Sequence, residues 1–172
     1  MNGPIDAELL GRLLDEHGAA LALYASQWTD AADDCVQEAL VELARQREQP
    51  AHAVAWLYRV VKHRALNVAR GARRRRERET RVMADRFAAS QQPAAFDRVD
   101  TMAVVDALDR LAANDREIIV MRIWGGLTYD EIAAALDTSI SSAHRQYERA
   151  LTNLRQILES PCSANANQSE LN

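Results

Sequence analysis

The amino-acid sequence predicts an all-α protein of two small helical domains joined by a flexible linker. Apolar residues recur at helical spacing, as in Leu9, Leu10, Leu13 and Leu14. Glycine and proline number only six and four among 172 residues, and few stretches alternate apolar and polar residues as strands do. Hydrophobic residues make up 48% of the chain, which is enough to form cores.

Several classes of protein are disfavoured by composition. No apolar run approaches the roughly 18 residues of a membrane span, and the N-terminal segment has no basic stretch followed by an apolar core, so we expect no signal peptide. Cys35 and Cys162 lack zinc-site or disulfide-framework spacing, which indicates a reducing cytoplasm and no metal or cofactor. The sequence has no Gly-rich phosphate loop, and its four histidines are scattered. We therefore expect no catalytic residues and no enzyme activity on a small-molecule substrate.

The charge distribution is strongly asymmetric, although the net charge is only −4. Residues 1–44 contain nine acidic side chains against Arg12 alone, and residues 62–78 contain eight basic side chains against Glu77 alone. Such asymmetry predicts one surface for a protein partner and another for a polyanion. A solvated acidic surface beside a disordered basic loop is the alternative.

The first predicted domain covers residues 1–80 and contains an acidic helix, "DAADDCVQEALVELARQ". Val36, Ala39, Leu40 and Leu43 are its predicted packing face, and acidic residues at its start suit the helix dipole. The opposite face could dock on a basic protein surface or simply face solvent. Its side chains are Asp33, Asp34, Gln37 and Glu38.

A basic helix with two aromatic residues follows the loop at Gln49 and Pro50. Aromatic and basic side chains together suit stacking on unpaired bases with phosphate contacts alongside. A core position fits Trp56 equally well, and Leu57, Val60 and Val61 are better core candidates. The candidate nucleic-acid residues of this helix are Trp56, Tyr58, Arg59, Lys62, His63, Arg64 and Asn67.

Two segments lack helical periodicity. Residues 81–100 contain "SQQP" and are predicted to be a linker, and residues 160–172 are small and polar, as in a disordered tail. The second domain is therefore predicted at residues 101–159.

The second domain carries the pattern of a helix-turn-helix. An amphipathic helix from Asp115 ends at two glycines, and "TYDE" then predicts a capping box between Thr128 and Glu131. Ile132, Ala133 and Leu136 form the predicted buried stripe of the next helix. Asp137 is expected in the left-handed conformation, and Ser139 is expected to cap the third helix.

The third helix has an apolar face and a polar face. The predicted buried residues are Ile140, Ala143, Tyr147, Ala150, Leu151, Leu154 and Leu158. The polar face offers hydroxyl, amide and guanidinium groups, which meet phosphates and base edges in a major groove; an ordinary helical hairpin with an exposed polar face is the alternative. The candidate DNA-binding residues are Ser141, Ser142, His144, Arg145, Gln146 and Arg149.

These segments together resemble bacterial sigma-70 family RNA polymerase sigma factors of the extracytoplasmic-function (ECF) type. The resemblance covers roughly residues 5–158 and rests on three motifs in order: "DAADDCVQEALVEL", "AWLYRVVKHRALNVAR" and "ALDRLAANDREIIVMRIWGGLTYDEIAAAL". It implies a region 2 helical bundle followed by a region 4 helix-turn-helix.

The resemblance also implies partners and roles. The acidic face would meet the clamp of core RNA polymerase, and the loop at residues 46–53 with the basic helix would bind the −10 promoter element. The second domain would lie on the polymerase flap and read the −35 element. Family members are commonly inhibited by an anti-sigma factor, but no residue here identifies one.

Three other classes of function remain as alternatives. The first is a two-domain transcriptional regulator that binds DNA without polymerase, although residues 1–100 show no sensing pocket or dimerisation seam. An enzyme is less consistent with the sequence. A helical adaptor would explain the acidic face and leave the basic helix without a role.

Overall fold

The computed structural model of the protein describes residues 5–82 and 106–159. These residues form helices and, within those two ranges, no strand, so the all-α prediction is confirmed. Most of the predicted linker and the whole predicted tail lie outside the described residues. The helices of the first module are α1 (Ala7–Ala25), α2 (Ala32–Ala44) and α3 (Ala53–Val82). Those of the second are a helical segment at residues 106–110, α4 (Ala113–Ile119), continued by a π-helical turn (Val120–Trp124), α5 (Tyr129–Leu136) and α6 (Ile140–Glu159).

The first module is a bundle of α1, α2 and α3. The Asp6 carboxylate accepts a hydrogen bond from the Leu9 amide at 2.8 Å and so caps α1. Leu21, Leu43 and Leu57 are completely buried where the three helices meet. The bundle thus presents the outer faces of α2 and α3 to its surroundings.

The second module contains the predicted helix-turn-helix. The Thr128 hydroxyl accepts from the Glu131 amide at 3.3 Å, and the Glu131 carboxylate accepts from the Thr128 amide at 2.8 Å. Asp137 ends α5 at φ 53°, ψ 52°, which is the left-handed conformation. The Ser139 hydroxyl accepts from the Ser142 amide at 3.2 Å. The predicted capping box, left-handed residue and third-helix cap are all confirmed.

The helix before the turn differs from the regular helix expected there. Its last residues, Val120–Trp124, form a π-helical turn in which the Gly125 amide donates to the Val120 carbonyl at 2.9 Å. Gly126 then adopts φ 67° and reverses the chain. A π-helical turn needs an extra residue between hydrogen-bonded partners, and the apolar spacing alone did not indicate it.

The burial predicted for α6 is correct in the middle and wrong at both ends. Ala143, Ala150 and Leu154 are buried, and Tyr147 and Leu151 are partly buried, whereas Ile140 and Leu158 are 52% and 49% exposed. The 20-residue α6 is about 30 Å long, but the eight-residue α5 is only about 12 Å long. The shorter α5 alone therefore cannot cover α6 along its whole length.

The two modules pack against each other, and their buried apolar residues form one continuous core. The π-helical turn contacts α1, and α5 contacts α3. The sequence predicted two modules but did not predict how they are arranged. Within the described ranges, none of the helices has the length and apolar character needed to cross a membrane.

Candidate nucleic-acid and protein interfaces

The acidic face lies on the outer side of α2. Cys35, Val36, Ala39 and Leu43 point into the core, which turns the positions between them outward because apolar residues occupy one side of the helix. All four candidate residues of this face are exposed: Asp33, Asp34, Gln37 and Glu38. The sequence correctly predicted their exposure.

Arg64 of α3 forms ion pairs with two carboxylates of α2. Its guanidinium donates to the carboxylates of Glu38 and Glu42. Burial by itself lowers the pKa of Arg64, but hydrogen bonds and charge from Glu42 and Glu38 outweigh that effect and raise it. Arg64 therefore remains a permanent cation that fixes α2 against α3.

The candidate residues on α3 face two ways. Tyr58 is completely buried, with its ring 4.9 Å from that of Tyr24 in an edge-to-face arrangement, and Trp56 is half-buried against the core. In this arrangement Tyr58 contributes to packing and presents no face on which a base could stack. A shallow groove is lined by four of the candidates together with Glu42 and Val60: Arg59, His63, Arg64 and Asn67.

The module interface is the set of polar contacts that join α1 and α3 to the second module. Glu117 lies at the centre of this interface and is only 4% exposed. One oxygen of its carboxylate accepts from the Tyr24 hydroxyl at 2.5 Å and lies 2.5 Å from the Lys62 ammonium. Arg59 also donates to the Ala134 carbonyl of α5.

Burial and then the charge of Glu117 raise the pKa of the Tyr24 hydroxyl far above its usual range. Tyr24 therefore stays protonated and keeps donating to Glu117. Two of the candidate nucleic-acid residues, Arg59 and Lys62, are thus engaged by the second module. Sequence analysis missed Glu117, and the available signal was a carboxylate directly before the apolar run Ile118–Met121.

The six candidates on α6 divide between two sides of the helix. Ser141 and Arg145 are exposed on the side opposite the buried Ala143, since residues two apart point about 200° away from each other. His144 is exposed, with its ring 4.9 Å from that of Tyr129, and Ser142 lies partly exposed at the helix start. The Gln146 amide donates to the Asn114 carbonyl at 3.1 Å, and Arg149 donates to Asp115 at 3.1 Å.

Two segments of the chain match family models. Residues 12–75 match Sigma-70 region 2, and residues 101–154 match Sigma-70, region 4. The segments correspond to the first and second modules, so the acidic face, the basic helix and the helix-turn-helix all fall within matched regions.

Curated relatives include ECF RNA polymerase sigma factors of Mycobacterium tuberculosis (strain ATCC 25618 / H37Rv). The ECF RNA polymerase sigma factor SigL is 30% identical over 166 residues, which are 90% of this chain and 91% of that protein. SigD is 28% identical over 130 residues, or 72% of this chain. The match with SigD spans 61% of that protein's length.

Two solved structures share the fold. The sigma factor RpoE from Bartonella quintana, crystallised with the anti-sigma factor NepR, superposes with a TM-score of 0.59 at 23% identity over 91% of this chain and 99% of that one. CnrH in complex with the cytosolic domain of CnrY gives a TM-score of 0.57 at 24% identity over 90% of each chain. At these identities the likeness concerns the fold alone.

Proposed function

Because the chain belongs to the ECF group of the sigma-70 family, we propose that it binds core RNA polymerase, directs it to specific promoters and assists opening of the duplex. The proposal rests on one observation: the fold exposes an acidic helix face in the first module and a capped helix-turn-helix in the second. The proposal assigns no chemical reaction to the chain itself. It places the protein in the bacterial cytoplasm, at the nucleoid.

The acidic face of α2 is the proposed contact with the polymerase clamp. Asp33 and Asp34 occupy the first turn of the helix, where carboxylates are stabilised by the helix dipole. Their charges are exposed and the backbone beneath them is fixed by buried packing. Such a preformed face suits recognition of a basic protein surface through complementary charge.

The basic helix α3 and the loop before it are the proposed contact with the −10 element. His63 and Asn67 lie one turn apart on the groove, with the Asn67 amide nitrogen 3.4 Å from His63 Nδ1. Arg59 and Lys62 on the same helix can offer their remaining donors to promoter phosphates, because the second module uses only part of their donor capacity. Opening of the module interface would release further donors on this helix for promoter phosphates.

The second module is the proposed contact with the polymerase flap and the −35 element. Its capped bend sets α6 at a defined angle to α5, and Ser141 with Arg145 projects from the exposed side of α6. A helix of this kind places its N-terminal turns against base edges in the major groove. An anti-sigma factor as inhibitory partner is part of the proposal, because the sigma factor RpoE, a chain of this fold, was crystallised with the anti-sigma factor NepR.

The proposal is tested by gel filtration of the full chain with core RNA polymerase, followed by transcription from promoter duplexes. We expect co-elution and RNA synthesis. Separate elution combined with retained duplex binding would instead identify a regulator that acts without polymerase. The clamp contact is tested with Asp33→Lys/Asp34→Lys, which leaves both carboxylates of the Arg64 pair in place.

A charge-matched control is available on α1. Asp15→Lys/Glu16→Lys makes the same change in net charge at two exposed positions outside the acidic face. We expect the α2 variant to lose co-elution and the α1 variant to retain it. Equal behaviour of the two variants would show that general charge, and not this face, governs binding.

A further inference from the structure

A second buried carboxylate lies inside the helix-turn-helix module. Asp115 occupies the first turn of α4 and is 4% exposed. Both of its oxygens have partners on α6: Oδ1 accepts from Arg149 at 3.1 Å, and Oδ2 accepts from the Asn153 amide at 2.7 Å. Burying a carboxylate costs several kcal/mol unless it is paired and hydrogen-bonded, so these contacts determine whether Asp115 can occupy this position.

The Arg149 side chain itself remains 64% exposed. A guanidinium has five N–H donors in a rigid planar fork, and the contact with Asp115 uses a donor on only one of its terminal nitrogens. The remaining donors therefore face outward at the edge of α6. Arg145 lies one turn earlier on the same helix, so the two side chains are neighbours on its surface.

We propose that Asp115 is a positioning residue for upstream promoter DNA, because it fixes the Arg149 guanidinium with its remaining donors directed at the duplex. This inference rests on the function proposed above and adds a role for a residue that does not itself touch DNA. An exposed arginine loses rotamer freedom when it binds, and fixing its side chain beforehand reduces that loss. Asn153 occupies the second Asp115 oxygen and so holds the carboxylate in the orientation that Arg149 requires.

Removing the Asp115 charge distinguishes two effects on DNA binding: the positioning of Arg149 by Asp115, and the direct repulsion between Asp115 and the DNA phosphates. Asp115→Asn deletes a negative charge beside a polyanion, so Coulomb interaction alone predicts tighter DNA binding. Loss of positioning predicts weaker binding, because the amide pairs less strongly with Arg149. The two explanations thus predict opposite signs.

The experiment uses the full chain assembled with core RNA polymerase. The probe is a set of duplexes recovered from a random pool by the wild-type holoenzyme, and affinity is measured as salt concentration is varied. Asp115→Asn is expected to weaken binding by about 3- to 10-fold, the range that fixing one rotamer-rich side chain is worth. Arg149→Ala should weaken binding at least as much, and the double variant should be no weaker than Arg149→Ala.

Asp109→Asn is the matched control. It removes the same charge from the same module, at an exposed residue that pairs with Arg116 and not with α6. We expect this variant to bind as tightly as wild type or more tightly. The inference is overturned if Asp115→Asn binds like wild type or better, or if its effect adds fully to that of Arg149→Ala.

Folding is followed separately by thermal unfolding. If Asp115→Asn does not fold, the inference is tested at the exposed Arg149 itself. Arg149→Lys keeps the positive charge but replaces the planar guanidinium by a single ammonium. This variant is expected to lose several-fold affinity, and wild-type affinity would overturn the inference. A wild-type holoenzyme that recovers no sequence from the pool would instead refute the proposed function.

Discussion

The hydrogen bond from Tyr24 to Glu117 joins the two modules, and the substitution Tyr24→Phe tests its contribution. The substitution removes one hydroxyl and leaves the aromatic ring, which packs edge-on against Trp28 at 5.0 Å. Glu117 keeps Lys62 as a partner, so the carboxylate does not become an unpaired buried charge. The measured loss therefore reports the hydroxyl contact.

The expected loss is about 1.5–3 kcal/mol in the free energy of unfolding, which is typical of a hydrogen bond to a charged group. For a chain of this length, each kcal/mol lowers the melting temperature by about 2–4 °C. Lys62 is 35% exposed, so water solvates its ammonium and screens its ion pair with Glu117. The Tyr24 hydroxyl has no such access because the residue is completely buried.

Urea denaturation followed by tryptophan fluorescence measures the change, with Trp28 and Trp56 reporting on the first module and Trp124 on the second. Tyr58→Phe is the matched control, because the Tyr58 hydroxyl is buried without a hydrogen-bond partner in the part of the chain that the structure describes. We expect this control to be neutral or stabilising. If Tyr24→Phe lowered stability no more than Tyr58→Phe, the assigned strength of the module interface would be wrong.

Further predictions concern pH and the backbone. Burial and then Glu117 raise the pKa of Tyr24, so its hydroxyl is protonated in both the folded and the unfolded chain below about pH 10, and only the unfolded chain ionises above that pH. The free energy of unfolding should therefore fall as the pH rises above about 10. In urea titrations, Tyr24→Phe should reduce the slope of that fall by about 1.4 kcal/mol per pH unit. Gly125→Ala should lower the free energy of unfolding by about 1–3 kcal/mol, because the new Cβ would lie 2.6 Å from a backbone oxygen. Gly11 has open space around it, so Gly11→Ala should stabilise α1 by about 0.5–1 kcal/mol. Equal shifts in melting temperature for the two variants would contradict this. Asp137→Gly should stabilise the second module by about 0.5–1 kcal/mol in thermal unfolding, since it relieves a left-handed residue; a lower melting temperature would argue against strain. Thr128→Ala should cost about 1 kcal/mol by removing a capping hydroxyl, and unchanged urea unfolding would show that the cap contributes nothing.

Local features of the fold were predictable because the residues that determine them are close in sequence. The capping box depends on Thr128 and Glu131, three residues apart, and the left-handed bend depends on Asp137 at the end of a short apolar helix. The exposed acidic face follows from the apolar spacing of α2 in the same way. These predictions needed only the geometry of one helix and its ends.

Features that depend on tertiary packing were not predictable. The contact between Tyr24 and Glu117 joins residues 93 positions apart, and no local pattern specifies that pairing. Ile140 and Leu158 carry the apolar spacing of a buried face, yet both are about half exposed at the two ends of α6. The roles of the candidate residues in binding polymerase and DNA stay predictions.

Arg59 and Lys62 each use part of their donor capacity on the second module. By mass action, any phosphate contact that needs these particular donors is weakened in proportion to the fraction of molecules in which they are released. Assembly with polymerase would remove this penalty if it separates the two modules. The free protein should then scan bulk nucleic acid weakly, and the assembled enzyme should gain affinity without any new side chain.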